Sequence, residues 1–573
     1  MLDTEPRVFG IEDLPAELLG RIFIETADLL SDVDNVKLNT PPCTYLSHVC
    51  SRWRVVALDC QELWARFLPL PNVQWTTACL ARCPDNPLYV TIDHRYKRSN
   101  EYRKAAELVL AHWNRVKIFD LTFTVGIDFA VGPMGHMSTH GQALLRALLE
   151  RIAQPNDVLQ SLHLRLRAHD MNFDTWNPVH LTTELFAAQY PRLIEIELGQ
   201  CILPSKPPTV FFNTTLRVLE LDHIRAWDDI DSMIDYLHAV PMLESLSYAY
   251  WSDSGERTLF ECQPSRVHEP RCVKLPHLAH LALVGHWMHT FAILNYVSFP
   301  SRCDIAIGTG MGIFELEGAD EIELDVVRWH IETGAETLKQ HFSAATLVGC
   351  SYSHIQLSPH RVVGEDPCTI DGSPLPLHVQ PSITLPIPTA LPEIQKDIFK
   401  MYASLPIFAR PRSTHFNEVI WRDFPAYYGS YEAVQELVLS KSRHAASFVS
   451  ALIEKGAALF PTLRRVVLED INFMNKVALV RQLVDALCRH HADMGVGQFE
   501  CLVLRRCPCV TKDFVDELGG RLGRRRVEWD CYVDALSQLR EQARQERLQA
   551  GEPLHDASVE IFDYEDYGSD WEG

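Results

Sequence analysis

LQSLHLRL at 159–166, PRLIEIEL at 191–198 and TLRVLEL at 215–221 state one theme three times, a leucine leading into a run where apolar and polar residues alternate. A period of two is what a strand needs to bury one face and wet the other. The theme returns as MLESLSYA at 242–249, HLAHLALVG at 277–285, VQELVLS at 434–440, TLRRVVLED at 462–470 and FECLVLRRC at 499–507. The early copies lie roughly 23 to 35 residues apart, overlapping leucine-rich repeat periods. Between them are stretches apolar at helical spacing, at 141–152, 181–189, 228–240 and 476–491. A strand and a helix repeated at this period bury their apolar faces only against neighbouring units, which predicts a curved array with a binding surface. The copies are irregular and lack a repeated asparagine ladder, so a distorted array is expected.

The theme fades over 312–392, and the Pro-rich passage at 374–392 reads as an exposed loop or linker, because proline interrupts both strand ladders and helices. At the other end, 534–550 reads as a polar helix. The stretch from 552 onward, acidic with interspersed Tyr564, Tyr567 and Trp571, reads as a disordered tail.

The chain has 573 residues, too many for one compact core. Its apolar fraction of 47% and charged fraction of 22% suit a folded protein. A formal charge of −22 argues against nonspecific attraction to nucleic acid or anionic lipid. Residues 1–10 read neither as a signal nor as a transit peptide, and no apolar run approaches membrane-spanning length. Sixteen scattered cysteines fit reduced thiols better than a disulfide framework, so an intracellular setting, cytoplasm or nucleus, is expected.

Ahead of the array, residues 11–23 combine the helix-start signals Asp13, Pro15 and Glu17 with an apolar stripe of Leu18, Leu19, Ile22 and Phe23. The next stretch, polar up to Pro41 and Pro42, reads as a loop. A second helix then gathers Leu46, Val49, Cys50, Trp53 and Ala57 on one face, and Leu63 and Trp64 close the unit. Any one of these residues could simply be core. Two short helices in about fifty residues are barely enough to stand alone, so part of their apolar surface is expected to meet a partner.

The strings LPAELLGRIF at 14–23, LSHVCSRWRVVAL at 46–58 and ELW at 62–64 closely resemble the F-box domain. WTTACLARCPDNPLYVTID at 75–93, then HWNRVKIFDLTF at 112–123, resembles the region just beyond the box in large fungal F-box proteins. The stretch between the two helices is longer than in compact F-boxes, as in fungal members with extended linkers. The resemblance implies docking on a Skp-family adaptor and, through it, on a cullin. It nominates Leu14, Pro15, Leu18, Ile22, Phe23, Leu46, Val49, Cys50 and Trp53 as adaptor-binding.

The expected fold is α/β, with an N-terminal helical F-box at 11–67 and an irregular leucine-rich-repeat-like α/β solenoid in two parts, 68–311 and 393–533. Between the parts lies the irregular segment 312–392 with its Pro-rich loop, and 534–573 carries the polar helix and the disordered acidic C-terminal tail. The function this implies is that of the substrate-recognition subunit of an SCF-type E3 ubiquitin ligase complex, holding a target protein on the array. Such a subunit works by proximity and needs no acid, base or nucleophile of its own. An F-box-containing interaction scaffold acting outside ubiquitination is the alternative, and an enzyme with its site in 312–391 is a more distant one.

No other motif carries chemistry. Gly308, Gly310 and Gly312 lack the spacing and the lysine of a phosphate loop and read as a turn. Cys507 with Cys509, Cys79 with Cys83, and Cys43 with His48 and Cys50 lack a second pair at zinc spacing and read as buried thiols. His286, His289 and His354 have no accompanying catalytic signature. The basic run Arg521, Arg524, Arg525 and Arg526 reads as a solvated turn. No catalytic residue, metal or cofactor is assigned.

Overall fold

The structure, a computed structural model, describes residues 11–31, 42–93, 100–126, 139–169, 179–181, 189–204, 212–250, 261–285, 287–308, 324–347, 350–357, 361–369, 382–387, 392–408, 410–416, 433–440, 442–456, 459–471, 477–494, 499–508, 510–523 and 526–531. It is mixed α/β, with parallel and mixed sheets and no closed barrel among the described residues. Two compact units are distinguished, Met1–Gly349 with Ser373–Met401, and Cys350–Gly372 with Tyr402–Gly573.

The first unit begins with helices α1 (Ala16–Ser31), α2 (Pro42–Ser47), α3 (Ser51–Asp59) and α4 (Gln61–Ala65). Two expectations change here. α1 runs on past Phe23 through Ser31, because Ala27 continues the buried row and Asp28 is held by Arg66 from a distance. The expected second helix is broken into α2 and α3 at Cys50, which adopts extended backbone and caps α3, its Sγ accepting the Trp53 N–H at 3.4 Å.

Helices α5 (Val73–Arg82), α6 (Asn100–Leu110), α7 (Thr139–Ile152), α8 (Ile230–His238), α9 (Trp287–Tyr296) and α10 (Leu324–Leu347) come next. Interspersed with them are the strands β1 (Leu88–Asp93), β2 (Val116–Gly126), β3 (Ser161–His169), β4 (Glu195–Gly199), β5 (Val218–Asp222), β6 (Ser245–Tyr250), β7 (His280–Gly285) and β8 (Asp304–Gly308). These eight form one sheet in chain order, every neighbouring pair parallel.

The alternation read in the sequence is the alternation of this sheet. Leu162 and Leu164 of β3 stand in register with Phe119 and Leu121 of β2 and with Ile196 and Leu198 of β4, all buried. His163 and Arg165 point to the opposite, more open face. Gln200 and His223, the residues directly after β4 and β5, take left-handed backbone with φ of 55° and 53°. Each passes its N–H to the end of the next strand, Gln200 to the Asp222 carbonyl at 2.9 Å and His223 to the Ala249 carbonyl at 2.7 Å.

α7, α8 and the later helix Val477–Met494 fall where helical spacing placed them. α8 is fixed by a capping box, the Asp229 carboxylate accepting the Ser232 N–H at 2.7 Å while Ser232 Oγ accepts the Asp229 N–H at 3.0 Å. The helix expected over 181–189 falls almost wholly outside the described residues, as do the polar helix and acidic tail.

The described parts of the segment read as irregular are regular structure. They include the 24-residue α10 and, in the second unit, an antiparallel pair, β9 (Cys350–Leu357) with β10 (Arg361–Thr369). The Pro-rich passage is not wholly an exposed loop either, since Ser382–Pro386 is a strand with Ile383 and Leu385 buried, and Pro392 opens helix α11 (Pro392–Ala403).

In the second unit β9 also pairs in parallel with β11 (Ser413–Phe416). The parallel order continues through β12 (Glu436–Leu439), β13 (Arg465–Glu469), β14 (Cys501–Arg505) and β15 (Val527–Trp529). Helices α12 (Ser442–Lys455), α13 (Val477–Met494) and α14 (Lys512–Leu522) connect them. Left-handed residues recur after β13 and β14, at Asp470 and Arg506.

Candidate docking face of the N-terminal helices

α1 carries two apolar rows. Leu19, Phe23 and Ala27, four residues apart, face inward with no exposed surface. Beside them Leu18 and Ile22 form an outward ridge, 51% and 41% exposed, which Leu29 extends at 70%. The inward row is locked by aromatic packing, the Phe23 and Trp53 ring centroids lying 4.8 Å apart. Trp64 Nε1 donates to the Ala57 carbonyl at 2.9 Å, tying α4 to α3. Arg52 reaches back from α3 and donates to the Leu14 carbonyl, holding the entry to α1.

The nine nominated residues therefore divide. Leu18, Ile22 and Val49 are large exposed apolar side chains, and Pro15 and Cys50 are exposed beside them in sequence. Phe23 and Leu46 are buried, while Leu14 and Trp53 are half-buried. Ile11, Leu29, Tyr45, Val55 and Leu58 are also exposed and were not nominated. Of the twelve most exposed large apolar residues among those described, eight lie between Ile11 and Leu58, so exposure is concentrated here. Val55 and Leu58 stand three apart on α3, a spacing that would have marked them as sharing a face.

Chemically, this face offers apolar area to a second polypeptide. Covering half-exposed side chains the size of Leu18 and Ile22 contributes about 1 kcal/mol each.

The open face of the first sheet has a different character. Arg165 Nη1 lies 3.2 Å from Asp120 on one side, and the guanidinium also pairs with Glu197 on the other. His163 sits 3.6 Å from Glu195 and 4.0 Å from Glu197. Burial opposes its proton, but the Glu195, Asp120 and Glu197 carboxylates outweigh that and raise its pKa. Burial raises the pKa of the Asp120 carboxyl, against the pull of Arg165. Ser161 Oγ donates to Glu195 at 2.7 Å, which puts the carboxylate, not the imidazole, against the hydroxyl. The serine therefore does not form the hydroxyl–imidazole pair of a Ser–His nucleophile.

Of the cysteines read as buried thiols, Cys43, Cys79, Cys83 and Cys507 are buried, whereas Cys50 is exposed. Burial pushes Cys79 and Cys507 up to about 12, and Cys43 well above the usual range. Cys83 Sγ donates to the Cys79 carbonyl at 3.1 Å, and among the described residues no cluster of His, Cys, Asp and Glu could hold a metal ion. Cys509, Gly310, Gly312, Arg524, Arg525 and His286 lie outside the described residues. Gly308 ends β8, and Arg521 pairs with Asp485 at 2.8 Å. No helix among the described residues is long and apolar enough to cross a membrane.

Compared with known proteins, the chain matches no protein-family model and no curated protein.

Proposed function

We propose that this chain is an F-box protein, the substrate-recognition subunit of an SCF-type ubiquitin ligase. It docks a Skp-family adaptor on the N-terminal helices and holds a target protein on an irregular leucine-rich-repeat-like solenoid, in the cytoplasm or nucleus. The observation that carries this reading is the outward ridge of Leu18 and Ile22 on α1, set against a closed inner row of Leu19, Phe23 and Ala27 on the same helix, with Val49 exposed as well. A soluble helical module gains nothing by leaving such a ridge wet unless a partner covers it. Parallel strands in chain order, each with its apolar face buried, suit the repeated units of the proposed array.

The mechanism is proximity. Adaptor and cullin bring a charged ubiquitin carrier to one part of the assembly while the array holds the target, and the gain is in effective concentration.

Affinity purification of the tagged full-length chain from cells tests this reading. Recovery of a Skp-family adaptor together with a cullin is the expected result. Recovery of the adaptor alone selects the scaffold outside ubiquitination, and recovery of neither contradicts the reading.

A further inference from the structure

We infer that Arg66 and Leu68 form a rigid joint that fixes the N-terminal helices to the edge of the first sheet, so that a protein docked on those helices keeps one orientation to the sheet's open face. The joint rests on contacts within one compact unit, and its consequence for a docked protein rests on the docking reading above.

Arg66 directly succeeds α4, and its side chain is only 15% exposed. One arm, Nη1, lies 2.6 Å from Asp28 Oδ1 on α1, and the other, Nη2, lies 2.9 Å from Glu62 Oε1 on α4. The plane of the same guanidinium stands 4.4 Å over the ring of Tyr89 on β1. One side chain thus ties two docking helices to the first strand of the sheet. The task needs a planar fork that can pair twice and stack at once, which lysine cannot do.

Two residues on, the backbone makes a second connection to the same strand. Leu68 donates its N–H to the Tyr89 carbonyl at 3.4 Å and accepts the Thr91 N–H at 2.7 Å, so it pairs with Val90 as a parallel bridge on the sheet edge. Tyr89 is therefore held by its carbonyl from Leu68 and by its ring from Arg66. Leu68 and Leu70 are buried, and Thr76 Oγ1 in α5 takes the Leu70 N–H at 3.1 Å. Arg82, at the end of α5, stacks 4.3 Å over Trp64 of α4. Between α4 and α5 the chain is thus held at Arg66, Leu68 and Leu70.

Hydrogen exchange read by mass spectrometry on the full-length chain tests the joint without any partner present. In Arg66→Ala, peptides covering 61–70 and 88–93 should exchange about tenfold faster than in the parent, while peptides from β13 and β14 in the second unit stay unchanged. Arg66→Lys should resemble the alanine variant, since charge alone does not restore the fork. If Arg66→Ala does not fold, Asp28→Asn with Glu62→Gln should loosen the same two peptides with Arg66 retained. Parent-level protection of both peptides in the variants overturns the joint. Capture of a purified Skp-family adaptor by the parent, measured separately, tests the docking reading on its own. Failure of the parent itself to capture adaptor would remove the docking reading and leave the exchange result standing.

Discussion

Arg481 on α13 and Glu517 on α14 are thirty-six residues apart in sequence and meet in a two-pronged ion pair, with Nε and Nη2 each 2.8 Å from a carboxylate oxygen. The same interval separates Arg464 from Glu500, Glu469 from Arg505, Asp470 from Arg506, and Asp485 from Arg521, and each of these is also a bonded pair. Five pairs at one spacing mean that two successive strand–helix units of the second unit stack in register. Charge at a position in one unit is answered by the opposite charge at the same position in the next.

Register of this kind predicts a charge-swap result. Arg481→Glu should lower the melting temperature of the second unit by placing two carboxylates face to face, and adding Glu517→Arg should restore it. A double variant no more stable than the single would show that the pairing does not set the stacking. Both groups are solvent-exposed, so the effect should shrink at high salt.

Gly334 on α10 faces α9 where no side chain fits. A Cβ there would lie 2.2 Å from Phe291 Cδ1 and 3.2 Å from Asn295 Oδ1, and both neighbours are fully buried. Gly334→Ala should therefore destabilise the first unit by about 1–3 kcal/mol despite the better helix propensity of alanine. Chemical denaturation measures this, and an unchanged or increased midpoint would contradict it.

The same contact holds a buried histidine. Asn295 Nδ2 lies 3.0 Å from both Nδ1 and the carbonyl of His330, and His330 Nε2 lies 2.6 Å from the Cys262 carbonyl. The arrangement suits a neutral ring with its proton on Nε2. Burial lowers the pKa of His330 from 6.5 to about 4, and the Cys262 carbonyl only partly offsets this. A base whose folded pKa lies below its unfolded value leaves the unfolded state binding the extra proton. Its contribution is therefore complete above pH 6.5 and is lost as pH falls toward 4, on the order of 3 kcal/mol in all. Denaturation of the parent and of His330→Gln across pH 4 to 7 should show the parent losing more stability on acidification, and parallel curves would refute the assignment.

The strands were legible because their signal is local. From Leu162 to Leu166 every second residue is apolar, as a sheet covered on one face imposes, and at 466–468 three consecutive apolar residues mark a strand buried on both faces, with Val467 packed among Val438, Cys501 and Val503. α10 was not legible because its inward face includes His330, Gly334, Thr337 and His341, residues that do not score as apolar and are accommodated by neighbours remote in sequence. The break between α2 and α3 was hidden because sulfur caps the helix where Ser, Thr, Asp or Asn would be expected. Asp28 reads as a loop residue until Arg66, thirty-eight positions later, gives it a partner. Periodicity marked Leu18, Leu19, Ile22 and Phe23 as one stripe, and only tertiary packing, such as that of Phe23 on Trp53, separates the two that are buried from the two that are not.

That separation decides how the docking face should be tested. Trp53→Ala removes a ring packed at a tilt against Phe23 and should unsettle the N-terminal helices themselves, costing about 2 kcal/mol of packing, so loss of binding in that variant would say little about contact. Leu18, Ile22 and Val49 are exposed, and truncating them should leave the melting temperature nearly unchanged.

Calorimetric titration of a purified Skp-family adaptor into the full-length chain, parent against the combined Leu18→Ala, Ile22→Ala and Val49→Ala variant, is the most direct test. At about 1 kcal/mol per covered side chain, affinity should fall on the order of a hundredfold while the variant melts with the parent. Equal affinity in parent and variant, or no binding by either, would contradict the assignment of this ridge as the docking face.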